Sequence, residues 1–257
     1  MRGSARLRPI RVRFAKDIVA EVLFPPRQPG RVAILAGGAP GSPCKERILR
    51  FLAREGYVVV FPRYRGTWES GGYFLERSPA DDLRDVIAEL EKRRVIRDVW
   101  GGNIHPVRVN AIHLFGVSFG GPAVLLNSRR KAVKKVVALA PVTDWHQPGP
   151  DESFAAFVRF TLKGFGGAYR TRRQRDWRKL LETSFYDPLK REKDIVGKKI
   201  CILHARDDRI VPVGPTELLA RNTGVLFYRL PRGGHLSFSH LIRRPYWNRI
   251  EPFLHKQ

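Results

Sequence analysis

The stretch Gly116-Val117-Ser118-Phe119-Gly120 constrains this chain more than any other, because it sets a serine between two glycines at the junction of a strand and a helix. Residues 107–115 alternate and are rich in β-branched side chains, which predicts a strand whose far end is buried. Residues 122–127 predict a helix. A turn that joins the two so abruptly must be sharp, and its serine takes backbone angles at which neighbouring Cβ atoms would clash. Gly116, Gly120 and Gly121 remove those atoms. This pattern is a nucleophile elbow, and it needs a parallel sheet beneath it.

The rest of the chain supplies that sheet. Residues 10–14 and 18–24 alternate and predict an antiparallel hairpin at one edge. Strands then follow at 32–36, 57–61, 107–115, 133–140, 199–204 and 225–230, separated by helices at 45–55, 79–94, 122–127 and 215–222, with a last helix at 238–254. A loop is expected at 100–103. Such alternation implies right-handed crossovers, so the fold class is α/β, with a mostly parallel eight-stranded sheet covered by helices on both faces. Residues 143–196 break the rhythm with an apolar-faced helix at 153–163 and a basic one at 169–181, and predict a small helical cap over the carboxyl end of the sheet. The even composition shows no linker, so a single domain over residues 1–257 is expected, with the cap inserted in it.

Composition narrows the partners. Cys44 and Cys201 lack C-x-x-C spacing, which excludes a disulfide framework, argues against a zinc site and predicts two reduced structural thiols. No cofactor and no metal are expected. The first residues carry no apolar leader and no eighteen-residue apolar run occurs, so a cytoplasmic protein without membrane insertion is expected. The net charge of +24 would draw the chain toward nucleic acid, acidic membrane or anionic substrates. The basic residues are nevertheless spread over the whole length and accompany no nucleic-acid motif, so a dedicated nucleic-acid partner is not expected. Arginine outnumbers lysine while Asn, Gln, Met and Cys are scarce, a balance compatible with a thermostable protein.

A serine hydroxyl is a weak nucleophile at neutral pH and needs a base and an orienting acid. Ser118, Asp208 and His235 follow one another in the order nucleophile, acid, base, each in the loop after an expected strand. Those loops open at the carboxyl edge of a parallel sheet, where ligands bind in α/β folds. His235, behind Gly233-Gly234, is the best base, whereas His204 ends a strand and reads as a buried, hydrogen-bonded residue. Asp208 is the favoured acid; Asp207 and Asp144 are the alternatives, with ion pairing to Arg206 and helix capping as their structural roles. For the oxyanion hole, Phe119 supplies one backbone N–H, and Gly38 or Ala39 in the loop after the strand at 32–36 supplies the other. Phe154, Phe157, Phe160 and Phe165 beside Arg170, Arg172 and Arg173 would make an apolar acyl pocket with a cationic rim. Phe154, Phe157 and Arg170 are the substrate-binding candidates, although a stripe at helical spacing is more often ordinary core.

Taken in order, Gly37-Gly38-Ala39-Pro40-Gly41-Ser42, residues 56–66 with Ser70-Gly71-Gly72, the elbow, residues 140–145, residues 204–212 and Gly233-Gly234-His235 resemble an α/β-hydrolase. They are similar in particular to the catalytic domain of the prolyl oligopeptidase family and its acylaminoacyl-peptidase-like relatives. The resemblance covers nearly the whole chain and implies Ser118 as nucleophile, Asp208 as acid and His235 as base. Ala36 stands where the family usually has histidine, and Arg63 where aspartate is common. The chain leaves no room for the amino-terminal β-propeller of many such peptidases. The resemblance implies a serine peptidase for short or blocked peptides acting through an acyl-enzyme, with a carboxylesterase for small esters as the alternative and possible homo-oligomers. A non-catalytic basic scaffold holding anionic polymers is the reading from a different class.

Overall fold

Runs of β-branched and aliphatic residues build the centre of the molecule, and their alternation decides which helices each face receives. The computed structural model describes residues 8–256 apart from 28, 44, 94 and 183. Cys44, the amino-terminal stretch through Leu7 and Arg94 at the expected end of a helix therefore lie outside the described residues. In chain order the elements are β1 (Ile10–Phe14), β2 (Ile18–Leu23), β3 (Arg31–Ala36), α1 (Glu46–Arg54), β4 (Tyr57–Pro62), α2 (Pro79–Lys92), β5 (Val95–Arg97) and β6 (Ile104–Pro106). There follow β7 (Ala111–Val117), α3 (Gly120–Leu125), β8 (Val133–Leu139), α4 (Phe154–Phe165), β9 (Ile200–Ala205), α5 (Val213–Thr223), β10 (Leu226–Leu230), α6 (Phe238–Leu241) and α7 (Arg244–His255).

Eight strands form one sheet in the order β1-β2-β4-β3-β7-β8-β9-β10. The β1–β2 and β2–β4 pairs are antiparallel, and every other pair is parallel. Alternate residues of each strand enter opposite cores. Val32, Ile34, Val58 and Val60 pack with Leu83, Val86 and Ile87 of α2 and Val124 of α3. Ala33, Leu35, Val59 and Phe61 pack with Leu49 and Leu52 of α1 and with Trp247 and Ile250 of α7. This is the α/β-hydrolase fold, an eight-stranded, mostly parallel sheet with helices on both faces.

Four local expectations change. The strand before the elbow starts at Ala111 and not at 107, because Asn110 N–H and Ala111 N–H both turn to the Gly30 carbonyl (2.8 and 3.2 Å). Around the expected 100–103 loop, β5 and β6 pair as a short hairpin. The expected basic helix at 169–181 is instead a 3-10 segment, Gln174–Leu181, while Tyr169 forms an antiparallel bridge with Thr67. The last helix divides into α6 and α7, with Pro245 in the first turn of α7, where its missing N–H costs no hydrogen bond. Among the described residues no helix is long and apolar enough to cross a membrane.

One buried histidine links the sheet to solution pH. His113 in β7 is 4% exposed, and its Nδ1 meets Tyr57 Oη at 2.9 Å. Burial, with Arg31, Lys135 and His255 adding like charge, lowers its pKa to about 4. An unfolded imidazole titrates near ~6.5, so the unfolded chain takes up the proton first. The His113 contribution is complete above that value and is lost as pH falls toward 4, a swing on the order of 3 kcal/mol. His113→Asn should therefore lose less of its urea midpoint than the wild type between pH 7 and pH 4.5. Equal losses in the two proteins would contradict this assignment.

Candidate active site

The elbow is built by close approach. Ser118 follows β7 with φ of 50°, in the left-handed region, and α3 begins two residues later. A Cβ on Gly120 would collide with the Ala36 carbonyl of β3, and one on Gly116 would lie 2.5 Å from Val124 Cγ2, so only glycine lets the strand and helix meet. The serine backbone is tied on both sides: its N–H donates to Leu139 O at 3.0 Å, and its carbonyl accepts from Gly121 N–H at 2.9 Å and Val142 N–H at 3.1 Å. Tyr186 Oη donates to Phe119 O at 2.7 Å and braces the next peptide.

Asp208 follows β9 and is buried. Its Oδ1 accepts from Ile210 N–H and Val211 N–H, both at 3.0 Å, and its Oδ2 lies 2.8 Å from His235 Nδ1. Burial alone would push this carboxyl pKa up. Hydrogen bonds from His204 and His235, the nearby His235 charge and Val211 N–H outweigh burial and hold the pKa well below the ordinary carboxylate range. An ionised carboxylate only accepts, so the His235 proton sits on Nδ1 and Nε2 is left as the basic nitrogen. Asp207 acts on the backbone instead, where its Oδ1 accepts from Gly234 N–H at 2.9 Å and fixes the turn before His235. Asp144 closes its own turn, accepting from His146 N–H and Gln147 Nε2, each at 2.8 Å. Of the three acids considered, Asp208 is the one bonded to His235. Ser118 and His235 line one cavity of about 1500 Å³ including its open mouth, and their side chains make no hydrogen bond to each other among the described residues.

His204 contributes more than burial. Its Nε2 donates to Val211 O at 2.9 Å and lies 3.2 Å from Asp208 Oδ2, while Nδ1 meets Thr216 Oγ1 at 3.1 Å. It therefore bears on the same carboxylate oxygen as His235. Its sequence signal is its place four residues before Asp208, on the same strand and loop.

Gly38 and Ala39 line the cavity with Ser118, and a Cβ on Gly38 would touch Ser118 Cβ at 3.4 Å. Their loop is held by aromatic side chains: Tyr64 Oη donates to Gly37 O at 3.0 Å, Trp68 Nε1 donates to Gly41 O at 3.1 Å, and Gly41 N–H donates to Tyr169 Oη at 2.9 Å. None of these three aromatics stood out in the sequence as support for this loop. Ser118 also lines an apolar pocket of about 500 Å³ including its mouth, with Phe119, Val142, Trp145, Phe154, Phe157 and others.

A model of the alpha/beta hydrolase family matches residues 33–245. The chain belongs to that family. Family and elbow together make it a serine hydrolase. No curated protein matches its sequence. An esterase of Pyrococcus furiosus superposes with a TM-score of 0.66 at 18% identity, over 97% of this chain and 90% of the esterase. The acylaminoacyl peptidase of Pyrococcus horikoshii superposes with a TM-score of 0.62 at 17% identity, over 98% of this chain and 41% of the peptidase. Est1E of Butyrivibrio proteoclasticus gives a TM-score of 0.62 at 14% identity, over 96% and 99% of the two chains.

In this hydrolase Phe154 and Phe157 line the pocket beside Ser118. Arg170 does not line either Ser118 cavity. Its guanidinium donates to the carbonyls of Trp68 (2.8 Å), Gly167 (3.2 Å) and Ser70, so its charge satisfies the 66–74 loop and forms no rim. Phe160 points outward at 57% exposure, and Arg172 pairs with Glu76. Glu152, which the sequence did not single out among its acids, lines both cavities. Asp144, His146 and Asp187 bring one ligating atom each within 4.8 Å of one another. Backbone N–H groups already engage both carboxylates, from His146 on Asp144 and from Trp145 and Lys190 on Asp187.

Asp208→Asn should lower kcat for p-nitrophenyl butyrate by about 10⁴, because a neutral amide no longer enforces the His235 tautomer. Asp144→Asn should stay within about fivefold of wild type, as a residue outside the acid–base pair would. Reversal of that order in steady-state kinetics would reassign the acid.

Proposed function

We propose that this hydrolase cleaves small carboxylic esters through an acyl-enzyme on Ser118. The observation that carries the reading is the Asp208–His235 hydrogen bond of 2.8 Å beside the cavity that Ser118 and His235 line, next to an apolar pocket. His235 Nε2 takes the Ser118 proton as Oγ attacks the carbonyl carbon, and the imidazolium that forms is stabilised by Asp208. The negative charge on the tetrahedral oxygen is received by Phe119 N–H and by Gly38 or Ala39 N–H. His235 then protonates the departing alkoxide, and a water repeats the sequence to release the acid.

The apolar lining of Val142, Trp145, Phe154 and Phe157 suits a short aliphatic or aromatic acyl group. The same machinery serves an amide, and the likeness to the acylaminoacyl peptidase over 98% of this chain supports short peptides as the second reading. A fluorophosphonate probe tests the shared step. Intact mass should rise by one label in the wild type and stay unchanged in Ser118→Ala. No label on the wild type, or equal labelling of both, would refute the acyl-enzyme. Relative kcat/KM for p-nitrophenyl butyrate and an acylaminoacyl p-nitroanilide then ranks the two substrate classes, with the ester expected to be faster.

A further inference from the structure

Glu152 is the charged residue that lines both Ser118 cavities and that the acyl-transfer chemistry leaves unused; Asp144 lines the apolar pocket alone, with its carboxylate held by His146 N–H and Gln147. It stands immediately before Ser153, whose Oγ caps α4 by accepting from Ala156 N–H at 3.2 Å. The segment leading to it is fastened to the loop that carries Asp208. Gly149 N–H donates to Ile210 O at 3.2 Å, Asp151 N–H donates to Arg209 O at 3.1 Å, and the Asp151 carboxylate takes both ends of the Arg209 guanidinium at 2.7 Å. A Cβ on Gly149 would collide with Arg209 O, so the two segments are in backbone contact. Glu152 is therefore held in place relative to Ser118 and His235.

Glu152 lines both cavities that contain Ser118, and it is half-buried. Among the described residues it has no lysine or arginine within ion-pair distance, in a chain with 48 such residues whose other acids are largely paired. Burial raises its pKa, and the charge of His235 acts in the opposite direction. Lys45 and Arg47 line the wider cavity as well. Trp145, Phe154 and Phe157 in the apolar pocket add π faces, which favour a cation over an anion. A net charge of +24 repels a cationic substrate at long range, so a cation must be taken up by a local anion that is shielded from water.

We propose that Glu152 is the anionic half of a subsite for an ammonium group carried by the substrate within a few bonds of the scissile carbonyl. The subsite rests on the Ser118 acyl-transfer reading and names the substrate class for it: esters or peptides bearing a fixed positive charge near the reacting carbon. Substrate water is released as the cation meets the carboxylate, and the charge pair positions the carbonyl over Ser118.

Two isosteric pairs test it. On the acyl side, p-nitrophenyl 4-(trimethylammonio)butanoate is compared with p-nitrophenyl 5,5-dimethylhexanoate; on the alcohol side, butyrylcholine is compared with 3,3-dimethylbutyl butyrate. In each pair a quaternary nitrogen replaces a carbon, so shape is kept and charge alone changes. For at least one pair the wild type should prefer the cation, and Glu152→Gln should lower kcat/KM for the cation tenfold or more, chiefly through KM. The neutral member should stay within twofold, which also shows that the variant is folded. Equal losses for both members would make Glu152 a stabiliser of the His235 imidazolium and overturn the subsite. No loss for either cation would overturn it too. If no ester is turned over and no fluorophosphonate label forms, the acyl-transfer reading fails and takes the subsite with it.

Discussion

The site depends on one buried anion. Asp208 keeps its charge away from water because Ile210 N–H, Val211 N–H and His235 Nδ1 all direct hydrogen-bond donors at it, with His204 Nε2 3.2 Å from its Oδ2. A carboxylate so surrounded stays ionised and acts only as an acceptor, which sets the tautomer of His235. The same loop is a joint for the rest of the cleft. Arg209 clamps Asp151 beside Glu152, Asp207 fixes the glycine turn before His235, and Ile210 and Val211 line the apolar pocket.

Around that anion the sheet does the positioning. Ser118 leaves β7, Asp208 leaves β9, His235 follows β10 and Gly38 follows β3, so the ends of parallel strands bring together residues far apart in the chain. The loops between them are stiffened by aromatic hydroxyls: Tyr64 and Tyr169 bond the backbone of the 37–41 loop, and Tyr186 bonds the Phe119 carbonyl. Phe119, Trp145, Phe157 and Tyr186 also pack on one another, with ring centroids 5.1 to 6.5 Å apart. The wall of the apolar pocket beside Ser118 is thus continuous with the core, and an aromatic stripe can belong to both.

What was legible in the sequence had strong local causes. The hairpin, the alternating strands and the elbow follow from side-chain periodicity and from glycines at unavoidable close approaches, and Ser118, Asp208 and His235 follow from their places after strands. The basic segment at 169–181 misled because its spacing is helical while Tyr169 is drawn away to bridge Thr67 and bond Gly41. Arg170 misled for a related reason: its charge is used up on backbone carbonyls 100 or more residues away, and no pattern in the chain marks those partners. Glu152 and the second contact of His204 were hidden because both are set by tertiary packing against the Asp208 loop.

The central claim is that Ser118, His235 and Asp208 work as one unit, and its most direct test is the additivity of their removal. Rates for p-nitrophenyl butyrate are to be measured for Ser118→Ala, His235→Ala, Asp208→Asn and the combined variants, all at one pH. The account predicts that Ser118→Ala and the combined variants containing it share nearly the same residual rate, because an acid–base pair has no effect once its nucleophile is gone. Losses that multiply from one substitution to the next would mean that the residues act separately, and would contradict it.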